Sequence, residues 1–162
     1  MVADEIAETV SVLKKDGKII DFGVSNFTPS QTELIRQKTE VSVNQIQFSA
    51  THLEAMTDGS LDYMQLHNIR PMAWNPLGIV FREENEQASR IKALLIKLMA
   101  KYDAAADTIL LAWILKHPAG IIPVCGTTSA ERIKELMKAT TLELELEDWF
   151  AIWVESRGSK VP

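Results

Sequence analysis

Apolar and polar positions along the chain switch repeatedly between a period of about 3.6 residues and a period of two. Ile6, Val10 and Leu13 share one face of a helix over roughly the first fifteen residues, which the Asp16-Gly17 pair ends. Lys18–Val24 then reads as a short strand. Thr28 before Pro29 is a helix start, because a threonine oxygen caps free N–H groups and proline suits the first helical position; the helix is expected over about 29–38. Residues 41–48 alternate as a strand, and Asp58-Gly59-Ser60 leads into a helix at 61–66. Arg70–Asn75 is a third strand closed by Pro76-Leu77-Gly78, and the acid-rich stretch 82–88 reads as a solvated loop. Ile91, Leu94, Leu95, Leu98 and Met99 form the one-sided stripe of a helix packed on a sheet. A second helix follows at about 106–116, with Ile109, Leu110, Trp113 and Ile114 as its buried side. Ile121–Val124 is a fourth strand and Gly126–Ser129 leads into a helix at 130–138. A last helix around Trp149, Ile152 and Trp153 is expected across the outside.

Four strand-to-helix units with crossovers long enough to make every strand parallel define an α/β chain, expected as a single domain over residues 1–162. Such alternation builds either an open doubly wound sheet or a closed eight-stranded barrel, and four strands do not close a barrel. Composition agrees with a folded globular chain: 46% of the 162 residues are hydrophobic and 24% charged, too apolar for disorder. The net charge of −5, with no basic cluster beyond Lys14-Lys15, argues against a nucleic-acid or anionic-membrane partner. The lone Cys125 cannot form an internal disulfide, which suits the cytoplasm. The amphipathic start is not a signal peptide, and no apolar run approaches the roughly 20 residues of a membrane span.

In both architectures ligands lie at the carboxyl ends of the strands. The residues there are Gly23-Val24-Ser25-Asn26, Asn44-Gln45, Trp74 to Gly78, and Gly126-Thr127-Thr128 followed by Glu131-Arg132. Neutral hydrogen-bonding pairs, an aromatic plate, and a small-residue turn running into a helix with an arginine suit a flat amide-bearing ring at one end and a phosphate at the other. That describes a nicotinamide dinucleotide. The plainer alternatives are a capping turn at Ser25-Asn26, a core role for Trp74 and a solvated charge at Arg132. Asn44 and Gln45 are adjacent on a strand, so only one of them faces the mouth of the site. His52, His67 and His117 are scattered without ligand spacing, so no metal site is expected.

With these motifs in view, the sequence resembles the aldo-keto reductases. Gly17 to Pro29 (GKIIDFGVSNFTP) looks like the family's central motif, and Val43–Gln47, Ala73–Gly78 and Ile122–Ile133 follow in the family's order over nearly the whole chain. The Arg-Pro-Met-Ala-Trp stretch looks like a bacterial subgroup with tryptophan at the ring-stacking position. The resemblance implies that Ser25, Asn26 and Gln45 hold the nicotinamide carboxamide and that Trp74 stacks on its ring. Asn75 and Leu77 belong to the same cofactor-binding set. Gly126, Thr127 and Arg132 fall at the 2′-phosphate and adenine end of NADP(H), and Glu135 falls at an adenine contact. Gly126 stands where many members carry a phosphate-binding lysine, and Leu136 where many carry asparagine, so a preference for NADPH over NADH rests mainly on Arg132.

The resemblance also implies what is missing. The family's proton-donating tyrosine, its lysine and aspartate partners and the carbonyl-polarising histidine precede the central motif, so no catalytic residue is assigned. Tyr63 and Tyr102 fall on helices, the outer ring of such a barrel, and are poor replacements. The expectation is the carboxyl-terminal half of a (β/α)8 barrel, truncated and inactive alone, completed by a homodimer or by a complementary amino-terminal half. The alternative is a non-catalytic remnant that binds a dinucleotide or a protein.

Overall fold

The computed structural model describes residues 2–161. In chain order the elements are α1 (Ala3–Lys15), β1 (Gly23–Ser25), α2 (Pro29–Arg36), β2 (Val43–Gln47), α3 (Ser60–Leu66), β3 (Arg70–Trp74), α4 (Glu86–Tyr102), α5 (Ala106–Leu115), β4 (Ile122–Pro123), α6 (Ala130–Met137) and α7 (Leu146–Arg157). The helix starts follow local chemistry. At Thr28 the hydroxyl accepts from the Gln31 N–H while the Gln31 side chain accepts from the Thr28 N–H, a reciprocal capping box with Pro29 at the first turn. Asn85 and Ser129 cap α4 and α6 in the same sense, through the Ala88 and Arg132 N–H groups.

The four strands are all parallel and lie in the order β1-β2-β3-β4. This order selects between the two architectures left open by the sequence: a doubly wound sheet reverses its strand order at a switch point, whereas sequential neighbours are the arrangement of a (β/α)8 barrel. The chain therefore has the fold of part of such a barrel. Two strands are shorter than the sequence pattern suggests. Residues 18–21 lie outside the ladder, because β1 has one neighbour and only its end faces β2. There Gly23 is needed, since a Cβ would come within 2.8 Å of the Val43 carbonyl oxygen. Ile122–Pro123 is all of β4, extended by a bond from the Val124 N–H to the Ala73 carbonyl.

The period of two sorts the sheet's faces. Asn44, Ile46, Pro71 and Ala73 are buried on the helix side, while Val43, Gln45, Gln47, Met72 and Trp74 alternate with them and are half-covered. The helix side meets one contiguous core in which the Phe48, Trp113 and Trp149 rings stack in series at 5.6 Å. The two indoles also cross-link α5 to α7: each donates its Nε1–H to the other residue's backbone carbonyl, at 3.0 and 2.9 Å. The last helix is thus sewn into the core through Trp149 and Ile152 rather than lying loosely outside it.

Candidate functional site

The site residues come from the turns after the four strands. After β1, Asn26 adopts a left-handed conformation (φ 56°), which asparagine tolerates. Its N–H and the Ser25 hydroxyl both donate to the Gln45 carbonyl, at 2.9 and 3.1 Å. The Asn26 side-chain oxygen accepts from the Trp74 indole at 2.8 Å. Ser25, Asn26, Gln45 and Trp74 therefore form one bonded group, with the plane of the half-buried indole fixed by its own N–H. Asn44 takes the structural role of its pair. It is fully buried, donates to the Phe27 carbonyl at 2.9 Å and accepts from the Phe27 N–H, so it pins the turn that carries Asn26.

Beside Trp74 opens a cleft of about 580 Å³, with one wall formed by the loop after β3 and the other by the segment between β4 and α6. Trp74, Asn75 and Leu77 line the first wall; Gly126, Thr127 and Arg132 line the second. The first wall is held by Gly78 (φ +57°), where a Cβ would meet the Thr51 hydroxyl at 2.0 Å and the Ser49 hydroxyl at 2.6 Å. Thr51 also accepts from the Ile79 N–H at 3.1 Å, so the loop after β3 is docked onto the segment after β2. On the second wall, the Thr127 and Ser129 hydroxyls accept successive backbone N–H bonds that shape the turn into α6.

Arg132 lies 4.0 Å from the Asp107 carboxylate with its side chain more than half exposed, so it remains available to a ligand. Cys125 lines the same cleft. Burial, with the nearby Asp107 charge, pushes its thiol pKa up and keeps it protonated. Glu135 is not brought into the cleft: its carboxylate pairs with Lys138 at 2.6 Å, and Leu136 lines the site instead. Ser25, Asn26 and Gln45 meet the cleft only through Trp74. Sequence reasoning missed Arg82, a cleft residue within the stretch read as a solvated loop.

The two tyrosines are engaged elsewhere. The Tyr63 hydroxyl bonds the Glu33 carboxylate at 2.5 Å beside Arg36, and the Tyr102 hydroxyl bonds Asp148. Burial, followed by these carboxylates, raises both phenol pKa values, the opposite of what an acid poised near neutral pH needs. Among the described residues no group of three or more His, Cys, Asp or Glu side chains could hold a metal ion, and no helix is long and apolar enough to cross a membrane.

The profile described as "Aldo/keto reductase family" matches residues 2–153. The chain belongs to the aldo/keto reductase family. Among its relatives is the "Uncharacterized oxidoreductase YcsN" of Bacillus subtilis, 36% identical over 167 residues, covering 100% of this chain and 56% of that protein. The "NADPH-dependent alpha-keto amide reductase" of Saccharomyces cerevisiae is 30% identical over 148 residues, 90% of this chain and 46% of that protein. The thermostable aldo-keto reductase Tm1743, solved with the inhibitor epalrestat, superposes with a TM-score of 0.85 at 22% identity, over 96% of this chain and 55% of that one. This aldo/keto reductase chain thus spans about half the length of the relatives it matches.

Proposed function

We propose that this chain is the cofactor-holding half of an NADPH-dependent carbonyl reductase, and that residues 1–162 alone are not catalytically competent. The carrying observation is the cleft itself, with Trp74 held at one end, Arg132 on the opposing wall and no carboxylate among the lining residues, in a chain of net charge −5. That donor set fits a dinucleotide: an aromatic plate for the nicotinamide, polar turns for its carboxamide, and an arginine fork for a phosphate. Ser25, Asn26, Gln45 and Trp74 would hold the nicotinamide end; Gly126, Thr127 and Arg132 would hold the adenosine end. The NADPH-dependent yeast relative supports the same cofactor.

Bound NADPH supplies a hydride for the carbonyl carbon. The carbonyl oxygen then needs a proton, and general acid catalysis is worth about 10²–10⁴-fold. Among the described residues neither tyrosine lies at the cleft. The acid is therefore assigned to a complementary amino-terminal half; that half, or a second copy of this chain, would cover the free edges of β1 and β4 and the half-covered sheet face.

The test is a titration of the purified chain with NADPH, followed by tryptophan fluorescence, with Trp74→Phe as control and NADPH oxidation by a simple aldehyde measured in parallel. The expected result is quenching that Trp74→Phe removes, with no turnover by this chain as monomer or homodimer and with turnover appearing only on addition of the complementary half. Light scattering against the 18.1 kDa chain mass reports the assembly. Turnover by a monomer would overturn the division of labour; absence of quenching would overturn the cofactor reading.

A further inference from the structure

We propose that Asp107 is a specificity-determining residue that acts through Arg132. It competes with the 2′-phosphate of the dinucleotide for the guanidinium, and so holds the preference for NADPH over NADH below what the arginine alone would give; this rests on the cofactor reading above. The 2′-phosphate is the group by which NADPH differs from NADH, and Arg132 stands on the cleft wall assigned to the adenosine end. A fixed negative charge beside that guanidinium is therefore a partner that NADPH has to displace and NADH does not.

The carboxylates of α6 are engaged within their own helix. Glu131 accepts from the Ser129 hydroxyl at 3.0 Å, and Glu135 pairs with Lys138 at 2.6 Å. The ion pair that Arg132 makes among the described residues is instead with Asp107, in the first turn of α5, at 4.0 Å. The two partners differ in freedom. Asp107 is held, because its Oδ1 accepts from the Thr108 N–H at 2.9 Å and its side chain is only 22% exposed; the Arg132 side chain is 56% exposed. A fixed carboxylate thus faces a long side chain that can pair again elsewhere.

The pair stands at the cleft rather than apart from it. Cys125 lines the cleft, and its thiol feels both partners: after burial, which raises its pKa most, Asp107 raises it and Arg132 lowers it. At 4.0 Å the pair is beyond hydrogen-bond reach, so Asp107 attracts the guanidinium without saturating its donors. A phosphate that takes two of those N–H groups side by side wins the guanidinium from such a partner. Part of its attraction is nevertheless offset by the pair it breaks. A 2′-hydroxyl, which carries no charge, leaves the pair in place.

The test compares wild type with Asp107→Asn, Arg132→Ala and the double variant in calorimetric titrations of NADPH, NADH, 2′,5′-ADP and 5′-AMP, at low salt and at about 0.5 M salt. Asp107→Asn keeps an oxygen to accept from the Thr108 N–H and removes the charge. Circular dichroism melting checks that each variant is folded, and Asp107→Ser, a second neutral variant, is read in the same way. At low salt Asp107→Asn is expected to bind NADPH and 2′,5′-ADP roughly three- to tenfold tighter and to leave NADH and 5′-AMP within about two-fold. The gain should shrink at high salt, where exposed charges are screened, and fall to within about two-fold in the Arg132→Ala background. A merely structural role would weaken all four ligands alike. If neutralising Asp107 leaves the ratio of NADPH to NADH affinity unchanged, or if the gain is as large without Arg132, the role of Asp107 is refuted and the cofactor reading stands. A wild-type chain that binds neither NADPH nor NADH removes both proposals.

Discussion

Replacing Gly78 by alanine would strike the hinge of the cleft's first wall. The added methyl would lie 2.0 Å from the Thr51 hydroxyl and 2.6 Å from the Ser49 hydroxyl, distances that no Cβ contact sustains, so these side chains or the loop must move. Moving Thr51 breaks its bond from the Ile79 N–H and its bond to Ser49. Each hydrogen bond lost is worth about 1 kcal/mol, the left-handed backbone at φ +57° costs alanine roughly 1–2 kcal/mol, and overpacking adds about 1–3 kcal/mol. Together they give an expected destabilisation of roughly 4–7 kcal/mol, a large part of the ~5–15 kcal/mol that holds a domain together. Urea unfolding followed by circular dichroism would show the midpoint falling by more than about 1 M, given an m-value of roughly 1–3 kcal/mol/M. NADPH affinity should fall as well, because Leu77 and Arg82 ride on the displaced loop. Thr51→Ala in the same chain removes the shortest contact and should recover part of the loss. A Gly78→Ala chain with an unchanged midpoint and unchanged NADPH binding would refute the reasoning.

Other perturbations test the remaining supports. Trp149→Phe keeps the ring stack but leaves the Trp113 carbonyl without its indole donor, and should cost about 1–3 kcal/mol in chemical unfolding. Asn44→Ala removes both bonds to Phe27 from a buried position; a similar loss is expected, together with several-fold weaker NADPH binding because the turn that carries Asn26 is released. His117 is held below its ordinary pKa of 6.5 by burial, against a smaller opposing pull from Asp62, and its Nδ1 accepts from the Ala119 N–H. The unfolded chain takes up that proton more readily. Stability from this group is therefore full above about pH 6.5 and is lost as pH falls through the lower folded value, a slope that His117→Gln should flatten in pH-dependent unfolding.

Most of the fold could be read from the sequence because its devices are local. Thr28-Pro29 announces α2, and the stripe from Ile91 to Met99 announces α4. The lengths of β1 and β4 could not be read, because an edge strand's paired length is set by its neighbour rather than by its own alternation. The site divides in the same way. Ser25, Asn26, Gln45 and Trp74 could be placed at strand ends from spacing alone, but the bond from the Trp74 indole to Asn26 joins residues 48 positions apart and has no local signature. Arg82 was hidden by its acidic surroundings, and the position of Glu135 on α6 does not reveal its pairing with Lys138. Long-range pairing decides which charges face a cleft, and composition does not encode it.

The central claim is that the turns after β1, β2, β3 and β4 together hold a nicotinamide dinucleotide. Backbone and indole N–H chemical-shift mapping of the isotopically labelled chain, titrated with NADPH, tests it directly. The account predicts that the largest shifts fall on the Trp74 indole, Asn26, Gln45, Gly126, Thr127 and Arg132. Shifts absent from these positions, or confined to the aromatic groove formed by His117, Trp149 and Trp153, would contradict it.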